Sequence, residues 1–520
     1  MPAPSRVLHG TALSLLLLGC SPAALADAPP KDAKDAKPDT KADQSPDPKL
    51  PHHFTPEEKT TTGSVTINKQ RVDYRAVAGT LVVHPRGWDD VSTRLDLEPE
   101  KPKGDEPGKP DAGKGGKLTT AEGSLFYVAY FKQGAAPESR PITFLYNGGP
   151  GSATVWLHMG AFGPRRVVTP GDQHLPAAPY TLVNNDASLL DASDLVFIDA
   201  PGAGFSRVTG PDKEKAFFGV DPDAHAFAEF ITTFLGKYGR WNSPKFLFGE
   251  SYGTTRSAVL INELETGRLV DFNGVILLSQ ILNFGLSPDG PEADPGHDVP
   301  YELALPTYAA TAWYHHKLGP DAPTDLKVLV AEVERFALTD YALALQQGAA
   351  LSEADRAAVA AKVHKYTGLP VDYVRKANLR VTGGEFEKML QDGVNQTTGR
   401  VDTRFVGPAM DPLEKDADYD PFLASVGSAY VSAFNDYVRK DLKFGEDRAF
   451  RAFADVGAHW GFEHRGPNGG GRWGGGLNVM SDLASAMKYN PNLKVQLNAG
   501  YYDLATPFFE GVYEMQHLPI

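Results

Sequence analysis

The sequence predicts an α/β fold: a mostly parallel central sheet with helices on both faces and a helical cap inserted late in the chain. Three observations carry that prediction. Short apolar runs at 142–146, 195–198, 245–248, 274–278 and 493–497 alternate with helix-forming stretches, and such alternation builds parallel sheets covered on both sides. The first three runs end in loops rich in glycine and small residues, at the strand ends where open α/β sheets gather their ligand groups. Residues 283–450 break the rhythm and read as helix, for example at 326–338 and 353–366, as an insertion over the sheet edge would.

Residues 1–26 read as an export signal, with Arg6 as its positive region and 12–18 as its apolar core. Two processing sites compete. Ala24-Leu25-Ala26 predicts cleavage after Ala26, whereas Leu17-Leu18-Gly19-Cys20 has the form of a bacterial lipobox that would lipidate Cys20 and anchor the chain to a membrane surface. The lipobox is favoured because Cys20 is the sole cysteine of 520 residues, which also leaves no disulfide to stabilise an exported chain. Either site makes the protein periplasmic or cell-surface. Residues 27–50, dominated by Asp, Lys, Ala and Pro, have almost nothing to bury and read as a disordered linker.

Residues 51–282 form the first part of the core. Two strand-like runs, 79–84 and 124–131, flank a Lys-, Pro- and Gly-rich tract at 98–117 that reads as a flexible hairpin insertion. Further on, Phe227, Phe230, Ile231, Phe234 and Leu235 fall on one face of a helix over 223–238. Asp221 is the expected N-cap, Pro222 the first helical residue and Gly239 the stop. After the cap at 283–450, residues 451–520 return to the core. The last run leads into Asn498-Ala499-Gly500-Tyr501-Tyr502-Asp503.

A formal charge of −14 argues against a nucleic-acid partner, which needs a basic face. No stretch has the apolar length to span a bilayer, the N-terminal one being too short. No metal or cofactor is called for either. His459, Glu463 and His464 miss the zinc-helix spacing, and the glycines of 469–476 lack the Lys-Ser/Thr of a phosphate loop.

The most informative stretch is Gly249-Glu250-Ser251-Tyr252-Gly253, which fits G-x-S-x-G between a strand and a helix. That context marks a nucleophile elbow, a strained turn that lifts a serine hydroxyl over the sheet end. Together with Asn147-Gly148-Gly149-Pro150-Gly151-Ser152 and Ile198-Asp199-Ala200-Pro201-Gly202-Ala203-Gly204-Phe205-Ser206, it resembles the serine carboxypeptidase family of the α/β-hydrolases, from about residue 123 to the last. The resemblance implies Ser251 as nucleophile, Asp503 as triad aspartate, and the Gly149 and Tyr252 amides as oxyanion donors. It implies that Asn147 and Glu250 bind the free carboxylate of a peptide substrate. Two facing carboxylates must share a proton, so the expected reaction is release of C-terminal residues through an acyl-enzyme, favoured at acidic pH. Asp199 precedes the serine and reads as a loop brace.

The family's histidine follows its aspartate by some tens of residues. Only His517 follows Asp503, without the expected glycine, and Gly296-His297 lies in the cap. The sequence therefore reads as C-terminally incomplete, and as written Ser251 would lack a general base. Two rivals stand beside the carboxypeptidase: an esterase or acyltransferase on the same fold, and an inactive peptide-binding lipoprotein. Glu250 beside Ser251 is the feature that discriminates.

Overall fold

The computed structural model describes residues 54–88, 120–467 and 476–520. The export signal with Cys20, the linker, the tract at 98–117 and nearly all of the glycine run after 468 lie outside them. Eight strands make the main path of the sheet: β1 Glu58–Ile67, β2 Gln70–Val83, β3 Glu122–Lys132, β4 Ile142–Tyr146, β5 Asp194–Ile198, β6 Lys245–Glu250, β7 Gly274–Leu278 and β8 Lys494–Asn498. Their spatial order is β1-β2-β3-β5-β4-β6-β7-β8, and Arg207–Thr209 adds a short strand against β3. From β5 to β8 every pairing is parallel, while β1, β2 and β3 form an antiparallel ribbon on the β5 edge. This is the α/β-hydrolase architecture.

Burial explains which strands the sequence revealed. All five residues of β4 and all five of β5 are buried, as expected of central strands covered on both faces. The predicted 79–84 and 124–131 runs fall in the longer strands β2 and β3, apart from His84 just past the end of β2, and these strands pair from Tyr74 with Lys132 to Val83 with Gly123. Strand β1 was not expected. It is Thr-rich and half exposed, so it has no apolar run to betray it.

Helix α1, Val220–Lys237, buries Phe227, Phe230, Ile231, Phe234 and Leu235 completely. Phe230 and Phe234 meet Tyr127 of β3 at ring distances of 5.5 and 5.4 Å. One expectation is corrected here: the helix starts at Val220 with Gly219 in the N-cap position, so Asp221 and Pro222 already lie inside its first turn. Proline is tolerated there because first-turn amides have no helical acceptor. Helix α2, Tyr252–Asn262, leaves the elbow and is buried for all but its last residue.

The 283–450 region is mainly helical, with α3 Val299–Tyr314, α4 Leu326–Phe336, α5 Glu353–Thr367 and α6 Pro421–Lys440 as its longest elements. One small hairpin, Gln396–Thr398 with Val406–Pro408, interrupts it. Helices α3, α4 and α5 share a core of their own, which takes in Leu504 from the segment after β8, whereas α6 packs into the main core through Ala433, Phe434 and Val438. The amides of Leu504 and Ala505 donate to the Arg400 carbonyl, and Thr403 donates to Tyr502. The insertion thus sits on the C-terminal end of β8.

A strap then runs back across the motif loops. Gly204 and Arg451 exchange backbone hydrogen bonds at 2.7 and 3.1 Å, Ala153 donates to Ala452, Ala454 donates to Gly151, and Gly461 pairs with Phe218 and Val220. Helices α7, Met480–Tyr489, and α8, Phe508–Gln516, flank the last strand.

Candidate active site

Strand β6 and helix α2 meet at Ser251, whose φ of 55° and ψ of −129° are unusual for a residue with a side chain. Such strain persists only where neighbours over-determine it. The Ser251 amide donates to Leu278 at the end of β7, and its carbonyl accepts from the Thr254 amide and hydroxyl. Space is equally restricted. A Cβ on Gly249 would lie 2.2 Å from the Gly253 carbonyl oxygen, and one on Gly253 would lie 2.9 Å from that of Tyr146. The elbow predicted from G-x-S-x-G is formed.

The loop after β4 lies directly on this turn. A Cβ on Gly148 would stand 2.4 Å from the Tyr252 nitrogen, and Gly149 has φ of 107°. Among the described residues neither the Gly149 nor the Tyr252 amide has a protein acceptor; Tyr252 is the first residue of α2, where amides are unsatisfied. The two N–H groups expected to face an oxyanion therefore lie on segments in contact through Gly148, and neither has a protein acceptor.

Asp199 braces this loop, as expected. Its Oδ1 accepts the Thr154 amide at 2.7 Å, and the Thr154 hydroxyl donates to the Ile198 carbonyl. Burial pushes the Asp199 carboxyl up to about 7 against the pull of that amide. Gly204 is needed beside it, because a Cβ there would overlap Asp199 Oδ2.

Glu250 and Asn147 meet in the same place. Asn147 Nδ2 donates to Glu250 Oε2 at 2.7 Å, and the Gly148 amide reaches the same oxygen at 3.4 Å. Asn147 Oδ1 accepts from the Leu157 amide at 3.0 Å, so its flip state is fixed by partners. Burial raises the Glu250 carboxyl to about 7, with the charge of Asp503 adding to it and the Asn147 and Gly148 donors opposing. Asp503 lies at the same edge, in the segment after β8, which runs parallel to β7 and β6. Asp503 accepts the Thr506 amide at 3.0 Å and the Thr506 hydroxyl at 2.9 Å. Burial lifts it to about 6 against donors from Ser279 and Thr506.

Among the described residues no histidine is hydrogen-bonded to Ser251 or Asp503. His517 caps α8 and turns its Nδ1 to the Tyr513 carbonyl. His297 lies in the loop before α3, its Nε2 buried without a partner. His464 is clamped between Asp221 (2.6 Å) and Asp482 (2.8 Å), an ion pair and not a metal site. Among the described residues no cluster suited to a metal occurs, and no helix is long and apolar enough to cross a membrane.

Two groups escaped the sequence reading. Arg256 and Asp223 form a fully buried ion pair beneath the elbow. Glu510 and Gln280, near Asp503, carry three buried oxygens without hydrogen-bond partners. For Arg256 the available signal was a charged residue at a core position of an otherwise uncharged helix, which is rare unless paired.

The sequence profile of the serine carboxypeptidases matches residues 112–278, which hold all three motifs. The serine carboxypeptidase-like protein 22 of Arabidopsis thaliana is 26% identical over 225 residues, 42% of this chain. The matched part is 44% of that relative's length. Among solved structures, a prohormone-processing carboxypeptidase from Saccharomyces cerevisiae aligns over 85% of this chain and 77% of its own, at 14% identity and a TM-score of 0.47. A bacterial brefeldin A esterase aligns over 41% and 51%, at 12% identity and a TM-score of 0.22.

Proposed function

This chain belongs to the serine carboxypeptidase family through residues 112–278, and from that premise we propose that it releases C-terminal residues from peptides through an acyl-enzyme on Ser251. The observation that carries the reading is the Asn147–Glu250 pair beside the nucleophile. A neutral ester offers a carboxyl there no charged partner. A peptide terminus does, provided Glu250 keeps its proton and donates it to the incoming carboxylate. A Glu250 value near 7 supports that state in acid, and binding fades as pH rises through it.

In this reading Ser251 Oγ attacks the last peptide carbonyl, and the Gly149 and Tyr252 amides stabilise the oxyanion. The terminal amino acid leaves once its nitrogen is protonated, and water then releases the acyl group. Asp503 would orient a histidine that carries the proton. No metal or cofactor enters these steps. The signal at residues 1–26 supports export, with Cys20 as the anchor or Ala26 as the cleavage site.

The test compares an N-blocked dipeptide with its C-terminal amide. Replacing Glu250 by Ala is expected to weaken binding of the free acid by about 10- to 100-fold, as loss of a hydrogen bond to a charged group does. Amide binding should change by no more than about threefold. Equal losses on both ligands would turn the reading toward an esterase.

A further inference from the structure

An ion pair sealed inside a core is a poor stabiliser, since apolar residues of the same volume often do as well. Arg256 and Asp223 are both fully buried, joined at 2.6 Å through Nε and 3.4 Å through Nη2. The guanidinium lies against the rings of Phe227, Tyr146 and Tyr252, at 4.3, 5.3 and 5.4 Å. Its remaining nitrogen, Nη1, donates to the Asn147 carbonyl at 2.9 Å.

That last bond sets a direction. The Asn147–Gly148 peptide is trans, so its C=O and N–H point opposite ways. With the carbonyl drawn inward to Arg256, the Gly148 amide must face outward, and there it meets Glu250 Oε2. The same anchor fixes the root of the Asn147 side chain, which donates to that oxygen too. Arg256 also belongs to α2, the helix that starts at the elbow. A single side chain therefore ties the nucleophile's helix to the loop expected to hold the substrate carboxylate.

We infer that Arg256, aligned by Asp223, is a positioning residue that holds the Asn147–Gly148 peptide so that its donors face Glu250 and the terminal carboxylate of a bound peptide. This rests on the carboxypeptidase reading above. Thr154, Asp199 and Leu157 brace the same loop from its far side, so removing Arg256 changes the peptide's direction before it frees the whole loop.

The experiment measures binding of benzyloxycarbonyl-glycyl-phenylalanine and its amide to the full chain, alongside thermal melts. The double variant Arg256→Met with Asp223→Leu removes both charges at similar volume. It is expected to melt near the parent temperature while its preference for acid over amide falls by about tenfold, the worth of one charge-assisted hydrogen bond. A folded double variant that keeps its preference within about twofold overturns the inference. If that variant fails to fold, Arg256→Lys decides. Lysine keeps the charge but cannot serve Asp223 and the Asn147 carbonyl together, so the preference should fall several-fold at unchanged stability, and an unchanged preference is again fatal. If the parent shows no preference for the acid, the carboxypeptidase reading fails instead.

Discussion

Two carboxyls share one sheet edge, and their surroundings differ. Glu250 is a meeting point: it accepts from a side chain and a backbone amide of another loop, and that loop is anchored from below by Arg256. Asp503 is capped by its own turn through Thr506. Beside it, Glu510 and Gln280 leave three buried oxygens unmatched. The Glu250 side has its donors fixed before any ligand arrives, which is what recognition of a defined charge requires. On the Asp503 side, no described histidine links the aspartate to Ser251, although proton transfer needs such a link.

The largest effect that would break this contrast concerns Ser251 itself. With no described histidine hydrogen-bonded to it, Ser251 in this geometry is expected to react with a fluorophosphonate about a thousandfold or more slowly than a hydrolase serine that has one. Intact-mass kinetics would measure it. Rapid labelling that disappears in Ser251→Ala would mean that an imidazole reaches the serine, and the two sides would then be equally complete.

Next in size is the anchor of the Glu250 side. Asp223→Ala leaves the Arg256 charge buried without its partner, at an expected cost of about 3–5 kcal/mol. Denaturant unfolding would read the loss. A change below about 1 kcal/mol would mean that water or another group takes over the guanidinium, and the elbow would be less tightly braced than the geometry indicates.

What the sequence made legible follows the same division. The Asn147 loop, the elbow and Asp503 could be singled out as candidates because their pattern is local: small residues within a few positions of a strand end. Strand β4 gave itself away as an unbroken apolar run, whereas β1, with one wet face, did not. Arg256 was missed because its partners, Asp223 and the Asn147 carbonyl, are distant in sequence and lie on other elements. The start of α1 was misread because Asp221 resembles a cap, yet its carboxylate is taken by His464 and the Arg465 amide.

Proton linkage offers a finer comparison. Both carboxyls are raised by burial, Glu250 from 4.5 to about 7 and Asp503 from 3.8 to about 6. Each keeps its proton longer folded than unfolded, so each adds stability that is complete below its ordinary value and lost as pH rises through the raised one. Melting temperature should fall between pH 5 and pH 8. Glu250→Gln should flatten that fall up to about pH 7, and Asp503→Asn only below about pH 6, each through roughly 1–3 kcal/mol. A melting temperature that climbs over this interval would contradict the assignment for both.

The smallest expected effect lies where the strap is fastened beyond the elbow side. Burial lowers the proton affinity of His464, but the carboxylates of Asp221 and Asp482 outweigh it and hold the imidazole at about 9. A raised histidine stabilises fully below its ordinary value and ceases to as pH climbs through the raised one. His464→Gln should therefore cost about 1–2 kcal/mol at pH 6, and the two proteins should converge above pH 9. Urea titrations at the two pH values would separate this from simple packing loss, which is the same at both. If the clasp also steadies the loops under the strap, the variant's preference for acid over amide ligands should fall slightly at pH 6 and match the parent's at pH 9.5. A preference unmoved at pH 6 would confine the clasp to holding the strap and leave Arg256 as the device that aims the donors at Glu250.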